Sequence, residues 1–110
     1  PLGNSFGAGG LFLTLSELHK FGLFYLNKGS WNGKQILSEK WIEESTSASD
    51  TDDYGYLFWR GEHNSFRADG KYSQITMVLP EKNAVVSLVA ECRKGEELMR
   101  ALYDLVCAKI

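Results

Sequence analysis

The chain has 110 residues, with 12 Lys and Arg against 14 Asp and Glu and a formal net charge of -2 at pH 7. With 44% hydrophobic residues and only 2 Pro, this is the composition of one ordinary globular domain, neither collagenous nor disordered. The mild acidity argues against a nucleic-acid partner held by clustered cations, and no apolar run reaches the ~20 residues of a membrane-spanning helix.

Pro1 in place of Met predicts a processed, trimmed or engineered chain. No signal peptide is visible, but a trimmed start could have lost one, so the compartment is open. The stretch from Pro1 to Gly10 is glycine-rich and aperiodic and reads as loop. Thr14-Leu-Ser-Glu17 then has the form of a capping box. Behind it Leu18, Phe21, Tyr25 and Leu26 recur at helical spacing, and Lys28-Gly29 supplies a stop. The spacing predicts a helix over 15–27. Asn32-Gly33, inside Trp31 to Lys34, is a hairpin signal, because both central residues of a type I′ turn need positive φ. Ser38 to Trp41 opens a second, shorter helix that runs out in the polar stretch 45–53, which reads as surface loop.

From Tyr54 the period changes. Tyr54, Tyr56 and Phe58 alternate with Gly55, Leu57 and Trp59 and predict an aromatic strand. Glu62 to Asn64 turns the chain. Further strands follow at Ser65 to Ala68, Gln74 to Leu79 and Ala84 to Ala90, with a four-residue turn at Pro80 to Asn83. Short connections imply antiparallel pairing. Gly95-Glu-Glu97 opens a final helix with acids near its positive end, and its apolar stripe is Leu98, Leu102, Leu105 and Val106, widened by Met99. The expectation is a single α+β domain over 1–110, an antiparallel meander flanked by helices.

Chemically the chain is sparse. A Ser-x-x-Lys pair puts a base one helical turn from a hydroxyl, yet no serine here has lysine three residues later. The nearest misses are Ser16 with His19 and Ser38 with Trp41. Tyr25-Leu-Asn27 has a Tyr-x-Asn form, but Tyr25 belongs to the apolar stripe and core packing explains it better. His19 and His63 lie far in sequence from Cys92 and Cys107, so no zinc-type ligand pair exists and neither metal nor cofactor is expected. The two cysteines are too few for a disulfide scaffold and read as structural thiols. Asp50, Asp52 and Asp53 lack the glycine and terminal glutamate of a calcium loop. Ala68 to Gln74 interrupts two strands around Gly70. Such a glycine can admit another group close to the backbone, but spacing alone favours a simple turn or bulge.

Taken in order, these segments resemble the C-terminal part of the serine β-lactamase-like hydrolases. That superfamily includes class C β-lactamases, D-alanyl-D-alanine carboxypeptidases, related esterases and 6-aminohexanoate-oligomer hydrolases. The resemblance rests on Ala8-Gly-Gly-Leu-Phe-Leu-Thr14 with Glu17-Leu18 and Lys20-Phe-Gly22, then on Tyr25 to Gly29 and Trp31 to Ser38. It continues through Tyr54-Gly-Tyr56 with Trp59, then Ala68-Asp-Gly70, Gln74 and Pro80-Glu81.

The resemblance implies a C-terminal portion of a β-lactamase/transpeptidase-like fold. Ala68-Asp69-Gly70 falls on the family's third box, usually Lys-Thr-Gly or His-x-Gly, and the Lys71 N–H on one of two oxyanion-hole donors. Tyr72-Ser73, lining the cleft, stands where Gly-Gly is common, which either narrows the cleft or marks a lost function. The family's Ser-x-x-Lys and Tyr-x-Asn elements lie upstream of such a segment. The chain is therefore expected to be inactive alone, with the missing N-terminal lobe as its partner. Ala68 lacks the cation that could bind a β-lactam carboxylate, which favours an esterase or amidase parent. Loss of N-terminal strands would leave an open sheet edge and an uncovered apolar face at Val85, Val86, Leu88 and Val89, hence self-association. Two other readings stand beside this one. The chain is a standalone binding module using Tyr54 to Trp59, or a purely structural subdomain.

Overall fold

A computed structural model describes residues 3, 9–50 and 53–110. Most of the glycine-rich opening, including Ala8 of the Ala-Gly-Gly motif, lies outside the described residues, as do Thr51 and Asp52 of the acidic stretch. The first helix, α1 (Leu15–Leu26), starts where the sequence predicts. The Thr14 N–H donates to Glu17 Oε2 at 2.7 Å and the Glu17 N–H donates back to Thr14 Oγ1 at 3.3 Å. This reciprocal pair satisfies two of the four donors that a helix start leaves without partners. Lys28 and Gly29 then turn the chain with φ of 52° and 82°.

Strands β1 (Ser30–Trp31) and β2 (Lys34–Gln35) pair antiparallel around Asn32 and Gly33, whose φ values of 49° and 76° suit the type I′ turn. Ser38 caps α2 (Glu39–Thr46) by accepting from the Trp41 N–H at 3.1 Å. The remaining strands are β3 (Trp59–Arg60), β4 (Phe66–Gly70), β5 (Gln74–Leu79) and β6 (Ala84–Val89), an antiparallel sheet in the order β3-β4-β5-β6. A single-turn 3-10 helix at Pro80–Lys82 links β5 to β6, and α3 (Gly95–Leu105) follows.

The sheet is the middle of three layers. Side chains alternate across a strand, and β5 is apolar on both sides. On one face Phe66 and Val78 pack with Tyr25 of α1, Ile42 of α2 and Phe58. On the other, Ile75, Met77 and Leu79 pack with Tyr103 of α3 and with Cys107 just beyond it. Residues 75 to 79 are therefore all buried, the pattern of a strand covered on both sides.

Helix α1 approaches the sheet at Gly22. A Cβ built there would lie 2.5 Å from Thr76 Oγ1 and 2.6 Å from Val85 Cγ1. Beside this contact His19 Nδ1 meets Ser87 Oγ at 3.0 Å, and Ser87 Oγ meets Thr76 Oγ1 at 2.9 Å. The polar groups at this helix–sheet junction thus satisfy one another. His19 turns to Ser87, 68 residues away, and not to Ser16.

Three expectations are corrected. The segment Tyr54 to Trp59 is not one strand: Tyr54 to Phe58 fold back, with Tyr54 bridged to Trp59 at the start of β3 and Leu57 at φ 68°. Its backbone donors bond within the turn, the Gly55 N–H donating to Phe58 O at 2.7 Å, and to the end of α2, the Tyr56 N–H donating to Ser45 O at 2.9 Å. Gly55 permits this, because a Cβ there would run into the carbonyl oxygens of Ser45 and Ser47. On α3, Leu105 is 62% exposed while Tyr103 is buried, its hydroxyl 3.0 Å from Ser65 Oγ. The tyrosine carries more apolar area than the leucine and finds a polar partner, so the helix rolls toward it. The apolar face of β6 is partly covered rather than bare. Val85 packs into the α1 cluster and Val86 into the α3 cluster, leaving Val89 at 48% exposure. What stays open is the edge of β6, which ends the sheet.

Candidate functional site

Residues 68 to 73 straddle the end of β4 and the turn into β5. Ala68 pairs with Thr76 and Asp69 with Ile75, so their side chains leave opposite faces of the sheet. Ala68 packs against the α1-side cluster. A larger side chain there would have to displace part of that cluster, which accounts for a small residue in physical terms. Asp69 accepts from Arg67 Nε at 3.1 Å, a partly buried pair on the other face. The structure thus separates the first two candidate side chains and groups the last three.

Gly70 ends the strand, and the Ser73 N–H closes a turn onto Gly70 O at 3.1 Å. Within that turn Tyr72 and Ser73 have φ of 64° and 70°. Two consecutive non-glycine residues in the left-handed region are costly, and such strain persists only where surrounding contacts enforce it. Here the segment after β6 does so. The Cys92 N–H donates to Tyr72 O at 3.1 Å, and the buried Ser73 hydroxyl donates to Cys92 O at 3.3 Å. Among the described residues the Lys71 N–H, in an exposed turn, has no backbone acceptor.

Tyr72 carries two cations on its ring. Lys71 Nζ lies 4.9 Å and Arg93 Cζ 5.5 Å from the ring centroid, within the range of cation–π attraction. A depression of about 280 Å³ opens between the 69–73 turn and the link that carries Cys92, Arg93 and Gly95. Sequence spacing alone did not point to Arg93 or Cys92, because they reach the turn only once β6 has returned alongside β5. Among the described residues no three His, Cys, Asp or Glu side chains gather as a metal site requires. No described helix is long and apolar enough to cross a membrane.

The remaining candidates are structural. Tyr25 sits in the aromatic cluster, 4.6 Å from Phe58 and 6.3 Å from Phe66 between ring centroids. Burial pushes its phenol above the usual tyrosine range. Cys92 and Cys107 are free thiols. Cys107 lies 3.9 Å from Met77 Sδ, and burial holds it in the thiol form by raising its pKa. The aromatic turn presents Tyr56 and Leu57 to solvent, with Trp41 5.6 Å from Tyr56 between centroids.

No protein-family model matches the chain, and no curated protein matches it. Among solved structures it is similar to a candidate 6-aminohexanoate-dimer hydrolase from Bacillus anthracis, with a TM-score of 0.71. The identity is 21%, over 87% of this chain and 29% of that one. The chain therefore spans less than a third of that structure's length. The likeness defines the fold, an α+β arrangement matching a C-terminal portion of a β-lactamase-like fold.

Proposed function

We propose that residues 1–110 form the C-terminal portion of a serine hydrolase domain of the β-lactamase-like type, cleaving an amide or ester through an acyl-enzyme. In this reading the chain supplies the oxyanion side of the site, and an N-terminal lobe supplies the Ser-x-x-Lys nucleophile. The observation that carries it is the Lys71 N–H at the end of β4, which has no backbone acceptor among the described residues, in a chain whose fold matches part of a solved hydrolase structure. An oxyanion donor must be fixed in advance and free of other partners, since its work is to meet charge that develops only in the transition state. The strained turn at Tyr72 and Ser73, tied to Cys92, supplies that fixation. Ala68 and Gly70 keep the strand end slim, and Asp69 is neutralised by Arg67.

The test compares this chain with a longer product of its gene. A fluorophosphonate probe should label one serine of a Ser-x-x-Lys pair in the longer protein and none in the 110-residue chain. Lys71→Pro removes the N–H without touching the nucleophile and should slow turnover of the longer protein ~10²–10³-fold. A stoichiometric adduct on the short chain, or full activity in the Pro variant, would overturn the reading.

The open edge of β6 favours a second statement about the isolated chain. Ala84 to Val89 has no Pro, charge or Gly to protect its unpaired groups, whereas the opposite edge, β3, is only two residues long. We infer that the isolated chain pairs through β6 with a second copy. Light scattering should show dimer, and Val89→Lys should reduce it. A monomer at ~100 µM would defeat the idea, since an association worth ~7 kcal/mol populates dimer there.

A further inference from the structure

Two depressions adjoin beside α2, at the opposite end of β4 from the 68–73 turn. One, of about 300 Å³, has an apolar floor of Tyr25, Ile42, Phe66 and Pro80. The other, of about 470 Å³, lies between the end of α2 and the pair Arg60 and Asn64. Glu43, Phe66 and Pro80 line both, so the two form one groove with Glu43 where they meet. Phe66 is the first residue of β4 and Gly70 the last, which sets the groove a strand's length from the turn.

The charges of this groove are unequally satisfied. At the apolar end Lys28 and Glu39 pair at 3.7 Å and cancel. Glu43 and Arg60 line one depression with opposite charge, yet neither makes an ion pair among the described residues. Arg60 is held by neutral acceptors, its Nη1 donating to Thr46 O at 3.2 Å and its Nη2 to the carbonyl and side-chain oxygens of Asn64. These bonds aim the guanidinium and leave its charge unmatched. The neighbouring hydroxyls are spent, Thr46 on Ile42 O at 2.8 Å and Ser47 on Glu43 O at 2.7 Å. Opposite charges that share a depression without closing on each other leave room for a molecule that carries both signs.

We propose that the groove binds a free α-amino acid with a large apolar side chain. Its ammonium meets Glu43 and its carboxylate meets Arg60, both through charge-assisted hydrogen bonds. Glu43 is common to the two depressions, so the side chain attached beside the ammonium enters the apolar one, over Ile42 and Phe66. The three groups carried on one α-carbon match a carboxylate, a cation and an apolar floor that converge. A purely apolar molecule would leave both charges unanswered, and a simple cation would face Arg60 across the groove. The space suits a ligand of this size, since small-molecule sites begin at about 300 Å³. The site is independent of the hydrolase reading, because none of its residues belongs to the 68–73 turn.

The test takes the ligand apart group by group. Phenylalanine is titrated into the isotopically labelled 110-residue chain, and backbone amide shifts are followed. Saturable shifts should be confined to the groove, at residues 42–48, 60–66 and 79–82. N-acetylphenylalanine lacks the ammonium, phenylalaninamide the carboxylate and glycine the side chain, and each should bind roughly tenfold or more weakly. Glu43→Gln should weaken phenylalanine roughly tenfold and should not weaken N-acetylphenylalanine, since the lost carboxylate serves only the ammonium. Glu44→Gln, next along α2 but outside the groove, should leave the affinity unchanged. Glu43 is exposed, and unaltered spectra away from the groove establish that its variant folds. No saturable shift, shifts centred elsewhere, equal binding of N-acetylphenylalanine or phenylalaninamide, or an unaffected Glu43→Gln variant would each overturn the proposal.

Discussion

Replacing Gly22 by alanine sets two effects of opposite sign against each other. In the interior of a helix the change should stabilise by about 1 kcal/mol, because glycine gives up more backbone freedom on folding. The structure opposes it, since the new methyl would sit 2.5 Å from Thr76 Oγ1 and 2.6 Å from Val85 Cγ1. Ordinary carbon contacts are about 3.5–4.0 Å, so helix or sheet must give by roughly 1 Å. Neither neighbour yields easily. Both are β-branched, and Thr76 is held by Ser87 at 2.9 Å. Overpacking of this kind costs about 1–3 kcal/mol, which leaves a net loss of about 1 kcal/mol after the helix gain. Urea unfolding should show the midpoint falling by roughly 0.5–1 M at a slope near 1–2 kcal/mol/M. Val85→Ala, which removes one of the two obstructions, should make Gly22→Ala far less harmful, a coupling of about 1 kcal/mol in a double-mutant cycle. A Gly22→Ala variant as stable as the parent, or strictly additive effects in the cycle, would refute the reasoning.

Tyr103→Phe removes the partner of the buried Ser65 hydroxyl and should cost about 1–3 kcal/mol in the same urea assay, because Ser65 is left unsatisfied. Glu17 is held below its ordinary pKa by the Thr14 N–H and hydroxyl, with Lys20 adding a smaller charge effect. A carboxylate with a lowered folded pKa stabilises above its unfolded value, and that stability is lost as pH falls through the folded value. Thermal melts from pH 7 down to pH 3 should therefore show less acid loss in Glu17→Gln than in the parent. Iodoacetamide at mild alkaline pH should modify the partly exposed Cys92 well before Cys107, which is fully buried with its thiol pKa raised by that burial. Mass spectrometry showing equal rates at both would contradict the packing around Met77.

The parts of the fold that follow local rules were legible in the sequence. The capping box at Thr14, the Asn32-Gly33 turn and the bounds of β5 each depend on a few adjacent residues, and each is found where expected. The aromatic segment 54–59 was misread because alternation reports only which residues are apolar. It does not say whether the backbone donors find a neighbouring strand, and here Tyr56 finds the end of α2. The exposure of Leu105 follows from a hydroxyl pair linking Tyr103 to Ser65, 38 residues apart, which no periodicity encodes. The turn at 68–74 was visible as a break between strands. Its chemistry was only half visible, since Arg93 reaches Tyr72 through the return of β6 and not through any spacing within the turn.

The two packed clusters meet at β5 without sharing a side chain. Ile75, Met77 and Leu79 serve the α3 side, and Val78 serves the α1 side. Substitutions that are well separated and touch no common partner combine nearly additively, so away from β5 each face is free to drift through its own series of neutral exchanges while the other stays fixed. The 70–73 turn hangs from the first residue of this strand. A descendant lineage could exchange the aromatic residues around α1 wholesale, and the charges beside Tyr72 would keep their positions. The reverse holds as well: new recognition chemistry at the turn could arise without any toll on the helix-side core.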